Sequence, residues 1–67
     1  MTGTITRVVV DRGFGFIKGD NGTDYFFHRQ EVGVGLDFAH LKSGDRIAFE
    51  EQQGPKGPRA GSVRPIS

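Results

Sequence analysis

Apolar residues along this chain recur at short range and never at helical spacing. No window of about eleven residues or more keeps them at i, i+3, i+4 and i+7, whereas several short runs are β-branched or aromatic and end in Gly, Asp or Asn. The first run is Thr4 to Val10, ended by Asp11, Arg12 and Gly13; the second is Phe14 to Lys18, ended by Gly19-Asp20-Asn21-Gly22. The Asn21-Gly22 pair tolerates positive φ and predicts a two-residue hairpin into a third run, Thr23 to His28. Gln30 to Ser43 is too long for a plain hairpin loop; it carries Gly33 and Gly35 near its start, a helical turn near Phe38 to Leu41, and a Ser43-Gly44-Asp45 turn at its end. Arg46 to Gln52 alternates Ile47 and Phe49 with Arg46, Ala48 and Glu50. Gly54-Pro55-Lys56-Gly57-Pro58 then reads as a turn before a last strand, Arg59 to Arg64, which Pro65 closes because it offers no ladder donor. Five short strands with one long excursion predict an all-β fold, a small, partly open barrel.

Strand parity separates an inside from an outside. In Arg12-Gly13-Phe14-Gly15-Phe16-Ile17-Lys18-Gly19, alternation puts Phe14, Phe16 and Lys18 on one face and Gly15 and Ile17 on the other. Ile17 is the natural inward residue, and Gly15 permits a close backbone approach. The phenylalanines are therefore left beside a lysine on the solvent side. The next strand repeats the arrangement, with Tyr25 and Phe27 on one face and Phe26 and His28 on the other, and a hairpin would set the pairs side by side. Ile17, Tyr25, Phe27, Ile47, Phe49 and Val63 then supply the core. Strict alternation would also align Arg7 with Ile5 and Val9, which cannot all be buried, so the first strand must carry a bulge or a strong bend.

Length and composition narrow the classes. A chain of 67 residues makes one domain, spanning 1–67, of a size that buries only about 60% of its unfolded surface. The 34% of hydrophobic residues, with the 11 glycines added, comes near the roughly 45–50% of ordinary globular chains, which disfavours disorder. With no cysteine and only two histidines, neither a disulfide framework nor a metal site is expected, and no cofactor. The longest apolar runs, Val8-Val9-Val10 and Tyr25-Phe26-Phe27, are far too short to span a bilayer, and no leader follows Met1. The expectation is a monomeric cytoplasmic protein with no membrane partner. There is no Cys nucleophile and no Ser in an elbow, since Ser43, Ser62 and Ser67 lie at turns or the terminus; neither an enzyme nor a small-molecule substrate is expected.

Net charge is only +1, from nine Lys and Arg against eight Asp and Glu, so bulk attraction to a polyanion is weak. Local arrangement has to do the work. Outward rings interleaved with cations suit an unpaired nucleotide strand, because every base has a π face to stack and every phosphate needs a counter-charge. Stacking contributes roughly 1–3 kcal/mol per base, against under about 1 kcal/mol for an exposed charge pair. Rings should therefore carry most of the affinity, with Arg12 and Lys18 as adjacent cations and Asp24 orienting nearby backbone or basic groups. Glu50-Glu51 repels phosphate and should lie off the path. His40 reads as a solvated loop residue. Arg12 to Phe16 follows the first five positions of the ribonucleoprotein pattern K/R-G-F/Y-G/A-F-V-x-F/Y, with Ile17 for Val and Gly19 departing from the final aromatic. An RNA-recognition motif needs two helices that this chain cannot supply, so the same surface must sit on an all-β scaffold.

Over essentially its full length the chain resembles a bacterial cold-shock protein. The resemblance is carried by Arg12 to Ile17, by Asp24-Tyr25-Phe26-Phe27-His28, by Phe38, by Leu41 to Glu50, and by Gly54 to Ala60 with its Lys56-Gly57-Pro58. It implies a single cold-shock domain, a five-stranded antiparallel OB-fold barrel. It also implies that Phe14, Phe16, Phe26, His28 and Phe38 stack on bases of single-stranded RNA or DNA, that Lys56 lies near the bound strand, that unpaired pyrimidine-rich segments are preferred, and that the protein acts as an RNA chaperone in the stress response. For Phe38, capping of the barrel mouth is the competing role. Two positions depart from the family: Arg7-Val8 stands where it usually has Trp-Phe, and Arg29 where it has an aromatic directly after the motif histidine. A guanidinium can stack on a base or pair with phosphate, so Arg7 and Arg29 exchange ring area for charge. Aromatics alone would also allow a peptide-binding β-barrel of SH3 type; the ordered basic-glycine-aromatic motif favours nucleic acid.

Overall fold

The computed structural model describes residues 1–33, 35–55 and 57–66. Five strands form a closed barrel: β1 (Thr2–Val9), β2 (Phe14–Gly19), β3 (Asp24–His28), β4 (Arg46–Gly54) and β5 (Gly57–Pro65), in the ring order β1-β2-β3-β5-β4. Every neighbouring pair is antiparallel except β3 and β5, which meet in parallel at Phe26↔Arg59. A second parallel bridge, Val32↔Val63, continues that seam beyond the end of β3.

The core is built by parity. Ile17, Tyr25, Phe27, Ile47, Phe49 and Val63 are all buried, joined by Ile5, Leu41 and Ala60. Burying one such side chain is worth about 1.5–3 kcal/mol, and so small a domain has few of them. Gly15 is part of this packing: a Cβ there would stand 2.7 Å from the Phe27 ring, so the ring lies directly against bare β2 backbone.

The conflict in β1 is resolved by a bulge. Register runs from Ile5↔Ile17 to Arg7↔Phe16, leaving Thr6 as the extra residue. Parity flips there, so Ile5 stays inside while Arg7 is exposed on the same face as Phe16.

Three local expectations are revised. The β2–β3 connection is a three-residue loop, Asp20-Asn21-Gly22: Gly19 N–H donates to Thr23 O at 2.8 Å, Gly22 N–H donates to Gly19 O at 2.9 Å, and Gly22 alone has positive φ, 86°. Asn21 serves through its side chain instead, accepting from Thr23 N–H at 3.0 Å. β1 starts two residues earlier than its apolar run, because Thr2, Gly3 and Thr4 pair with Ala48, Ile47 and Arg46 of β4. β4 and β5 remain paired up to Gly54↔Gly57, which shortens the expected 54–58 turn. The long connection contains two short 3-10 turns, Arg29–Glu31 and Phe38–His40, the second capped by the Asp37 carboxylate on Ala39 N–H.

Polar ties fasten the outside of the barrel. Arg46 donates to both carboxylate oxygens of Asp20 at 2.8 and 3.0 Å and to Thr4 Oγ1 at 3.0 Å, while Thr2 Oγ1 donates to Asp20 as well. The Arg46 hydrogen bonds first, and that of Thr2 second, hold the Asp20 carboxyl down to about 2. The Tyr25 ring is buried, but its hydroxyl reaches out to donate to Glu51 Oε2 at 2.5 Å and to accept from Asn21 Nδ2 at 3.0 Å. Glu51 pushes the phenol above its ordinary range.

Candidate nucleic-acid interface

The β2–β3 register puts Phe16 opposite Phe26 and Phe14 opposite His28. Centroids of Phe14 and Phe26 are 5.5 Å apart with planes tilted by 33°; Phe16 lies 5.9 Å from Phe26 and 5.8 Å from Phe14, edge-on to both. Each ring is half-buried, and none belongs to the core cluster or to the side chains packed against it. The rings support one another sideways and leave a broad apolar face outward. Reading β2 and β3 inside out is thereby excluded.

The cations ring this face. Lys18 is opposite Asp24 at one end, and Arg7 is opposite Phe16 across β1. Arg12 is exposed in the β1–β2 turn, and the Arg29 stem passes over Gly13, where a Cβ would stand 3.2 Å from Arg29 Cδ. Arg29 N–H also donates to Gly13 O at 2.8 Å, which joins the two segments. His28 is half-buried and caps the first 3-10 turn, its Nδ1 accepting from Gln30 N–H at 3.2 Å. That bond leaves the neutral ring's proton on Nε2.

Ion pairing is uneven over the surface. Among the described residues the ion-pair contacts are Arg46 with Asp20 and His40 with Asp37. Arg7, Arg12, Lys18, Arg29 and Arg59 are in none of them. A net charge of +1 thus conceals positive groups left without counter-charges beside the rings, while Asp20 and Glu51 are tied up elsewhere.

One predicted site residue, Phe38, stands apart from this cluster. Phe38 packs against the core, edge-on to Phe27 at 6.0 Å and 71°, at the end of the barrel. Lys56 lies outside the described residues. Conversely, a shallow groove of about 530 Å³ opens beside the rings, lined by Phe16, Phe26, Pro55, Gly57, Pro58 and Arg59. Pro55 and Arg59 were not singled out by pattern, because only the parallel β3–β5 contact brings the end of β4 and the start of β5 alongside Phe26. A chain-local signal did exist in the Gly54-to-Pro58 turn.

Comparison with known proteins shows the family. The family model described as the 'Cold-shock' DNA-binding domain matches residues 1–66. The chain belongs to the cold-shock DNA-binding domain family. This cold-shock domain is 40% identical over 63 residues to "Cold shock protein 2" of Lactiplantibacillus plantarum, covering 94% of each chain. It is 42% identical over 64 residues to "Cold shock-like protein CspA" of Vibrio cholerae, covering 94% of this chain and 90% of the other. It is 32% identical over 65 residues to the "Major cold shock protein" of Streptococcus pyogenes, covering 97% of this chain and 96% of the other. Among solved structures, "drosophila Unr CSD456" superposes with a TM-score of 0.71 at 23% identity over 98% of this chain and 26% of that one, a likeness of fold. Family membership supports nucleic-acid binding. No helix among the described residues is long and apolar enough to cross a membrane, and no group of three or more His, Asp or Glu among them could hold a metal ion.

Proposed function

We propose that this cold-shock domain binds single-stranded RNA or DNA as a cytoplasmic monomer and acts as a nucleic-acid chaperone. The observation that carries the reading is the outward triangle of Phe14, Phe16 and Phe26, with centroids within 5.9 Å of one another and unpaired guanidinium groups around them. In a duplex, bases are stacked on each other and their faces are closed to such rings; in an unpaired strand they can splay onto them. Binding only the open form shifts a hairpin equilibrium toward it by mass action, with no need for ATP. Phe14, Phe16 and Phe26 supply the platforms, His28 a flat edge beside Phe14, and Arg7, Arg12, Lys18 and Arg29 the phosphate contacts. Phe38 and Lys56 extend the track by resemblance to the family.

The test is a titration of the wild type and Phe16→Ala with one oligonucleotide in single-stranded and duplex forms. The wild type should prefer the single strand, and Phe16→Ala should weaken that binding by about 1–3 kcal/mol, the worth of one stacked base. Equal affinity for the duplex would remove the reading. Binding of a proline-rich peptide in place of the oligonucleotide would establish the peptide-module alternative, for which the same rings could serve.

A further inference from the structure

The groove beside the ring triangle has one arginine, Arg59, in its lining. Arg46 and Arg64 commit their guanidinium groups to Asp20, Thr4 and the Ser62 carbonyl. Arg59 makes no ion pair and no side-chain hydrogen bond among the described residues. Yet its stem is well placed. Arg59 is the Cα partner of Phe26 across the parallel seam, and its side chain runs over Gly54, where a Cβ would stand 2.6 Å from Arg59 Cδ and 3.1 Å from Cγ. Only the bare backbone at Gly54 leaves room for that path. Arg59, a planar, five-donor cation, thus joins Phe16, Phe26 and Pro58 in lining a mostly apolar slot.

A slot of this kind selects for a flat ligand with two adjacent acceptors on one edge. Guanine offers O6 and N7, which match the guanidinium fork; adenine places a donor beside N7, and thymine presents a lone O4 acceptor with a methyl group next to it. A phosphate would also satisfy a cation, but it gains nothing from the apolar walls. Guanine satisfies both the walls and the fork, and its two fused rings cover more of the walls than cytosine, whose N3 and O2 also lie side by side on an unpaired strand.

We propose that Arg59 is a specificity-determining residue that makes this groove a guanine-selective position, donating two parallel hydrogen bonds to O6 and N7 of a base laid against the Phe16–Phe26 wall. This rests on the single-strand reading above and narrows it, since the family resemblance implies a pyrimidine preference throughout. Gly54 acts as a positioning residue by letting the Arg59 stem lie flat.

The experiment compares three DNA oligonucleotides of equal length: all thymidine, thymidine with one internal guanosine, and thymidine with one internal 7-deazaguanosine. Because stacking on the rings tolerates any base, the strand can slide until the odd base occupies the groove. The wild type should bind the guanosine strand about 5- to 150-fold more tightly than all-thymidine, the range for one bidentate contact. Replacing N7 by carbon should remove most of that gain. Arg59→Lys keeps a charge but loses the fork, so its guanosine-to-thymidine ratio should fall to near one whatever its overall affinity. Gly54→Ala should lower the ratio too, with circular dichroism and thermal unfolding confirming that each variant is folded. A wild-type ratio near one, an undiminished ratio with 7-deazaguanosine, or a ratio that survives in Arg59→Lys overturns the assignment and leaves single-strand binding standing. Failure to bind any of the three strands overturns the single-strand reading and this one with it.

Discussion

Phe26 and Phe27 are adjacent in sequence, lie on the same strand and have the same side chain, yet they belong to different parts of the molecule. Phe27 points inward, fully buried, against Gly15 and the edge of Phe38. Phe26 points outward, half-buried, beside both Phe14 and Phe16 and lining the groove. The difference comes from pleat parity alone, since successive residues of a strand face opposite sides. It teaches that aromatic content says nothing about a ring's role until the inward set has been counted. Once Ile17, Tyr25, Phe27, Ile47, Phe49 and Val63 fill the barrel, any further ring has only the surface to occupy.

The sharpest way to break the contrast is to truncate each ring in turn. Phe27→Ala should cost about 3–5 kcal/mol of stability, the usual loss for a buried phenylalanine, enough to leave so small a domain largely unfolded, as urea titration would show. Phe26→Ala should unfold close to the wild type and instead lose about 1–3 kcal/mol of single-strand binding. Were the two variants to lose stability equally, the division into an inner and an outer set would be gone.

A smaller effect separates rings from charges on the outer face itself. Restoring the family's aromatic with Arg7→Trp should tighten binding at high salt while making it less salt-dependent, by about 0.7 log units per phosphate contact given up. Anisotropy titrations at several salt concentrations give both slopes, and identical slopes would show that Arg7 touches no phosphate.

The smallest effect lies far from the rings, at the Asp20–Arg46 tie. The Asp20 pKa is depressed in the fold to about 2, so the unfolded chain binds its proton first as the pH falls. The stabilisation it gives is complete above the ordinary carboxylate pKa and is lost as the pH drops from about 4 toward 2. Both groups are solvent-exposed, so the effect is screened and modest. Asp20→Asn should therefore differ from the wild type at pH 7 and converge with it near pH 2 in denaturant melts; a constant difference would assign the loss to something other than the charge.

Much of this arrangement was legible in the residues. Alternation in Phe14 to Lys18 and in Tyr25 to His28 is local, and it separated core from surface correctly because one face of each strand had an obvious aliphatic or inward partner. The need for a bulge near Arg7 was legible for the same reason, while its position at Thr6 was not, because several residues could have been extruded. What sequence could not supply was long-range adjacency. The parallel contact of β3 with β5 joins residues 26 and 59, and no local pattern encodes it. Arg59 and the proline-lined groove were missed on that account. Thr2 and Gly3 are strand because β4 lies beside them, not because of any propensity. Phe38 stays ambiguous in sequence for a physical reason, since a loop ring can serve a ligand or plug a barrel end, and here it rests on Phe27.

The hydroxyl of Tyr25 gives the molecule an internal optical gauge. There is one tyrosine and no tryptophan, so the near-ultraviolet signal comes chiefly from a ring sealed in the interior and bonded to the Glu51 carboxylate. Tyrosine emission will then follow the integrity of the barrel. Alkaline titration should show the phenolate forming late, and because the folded form holds that proton more tightly than the open chain, the domain should weaken as it departs.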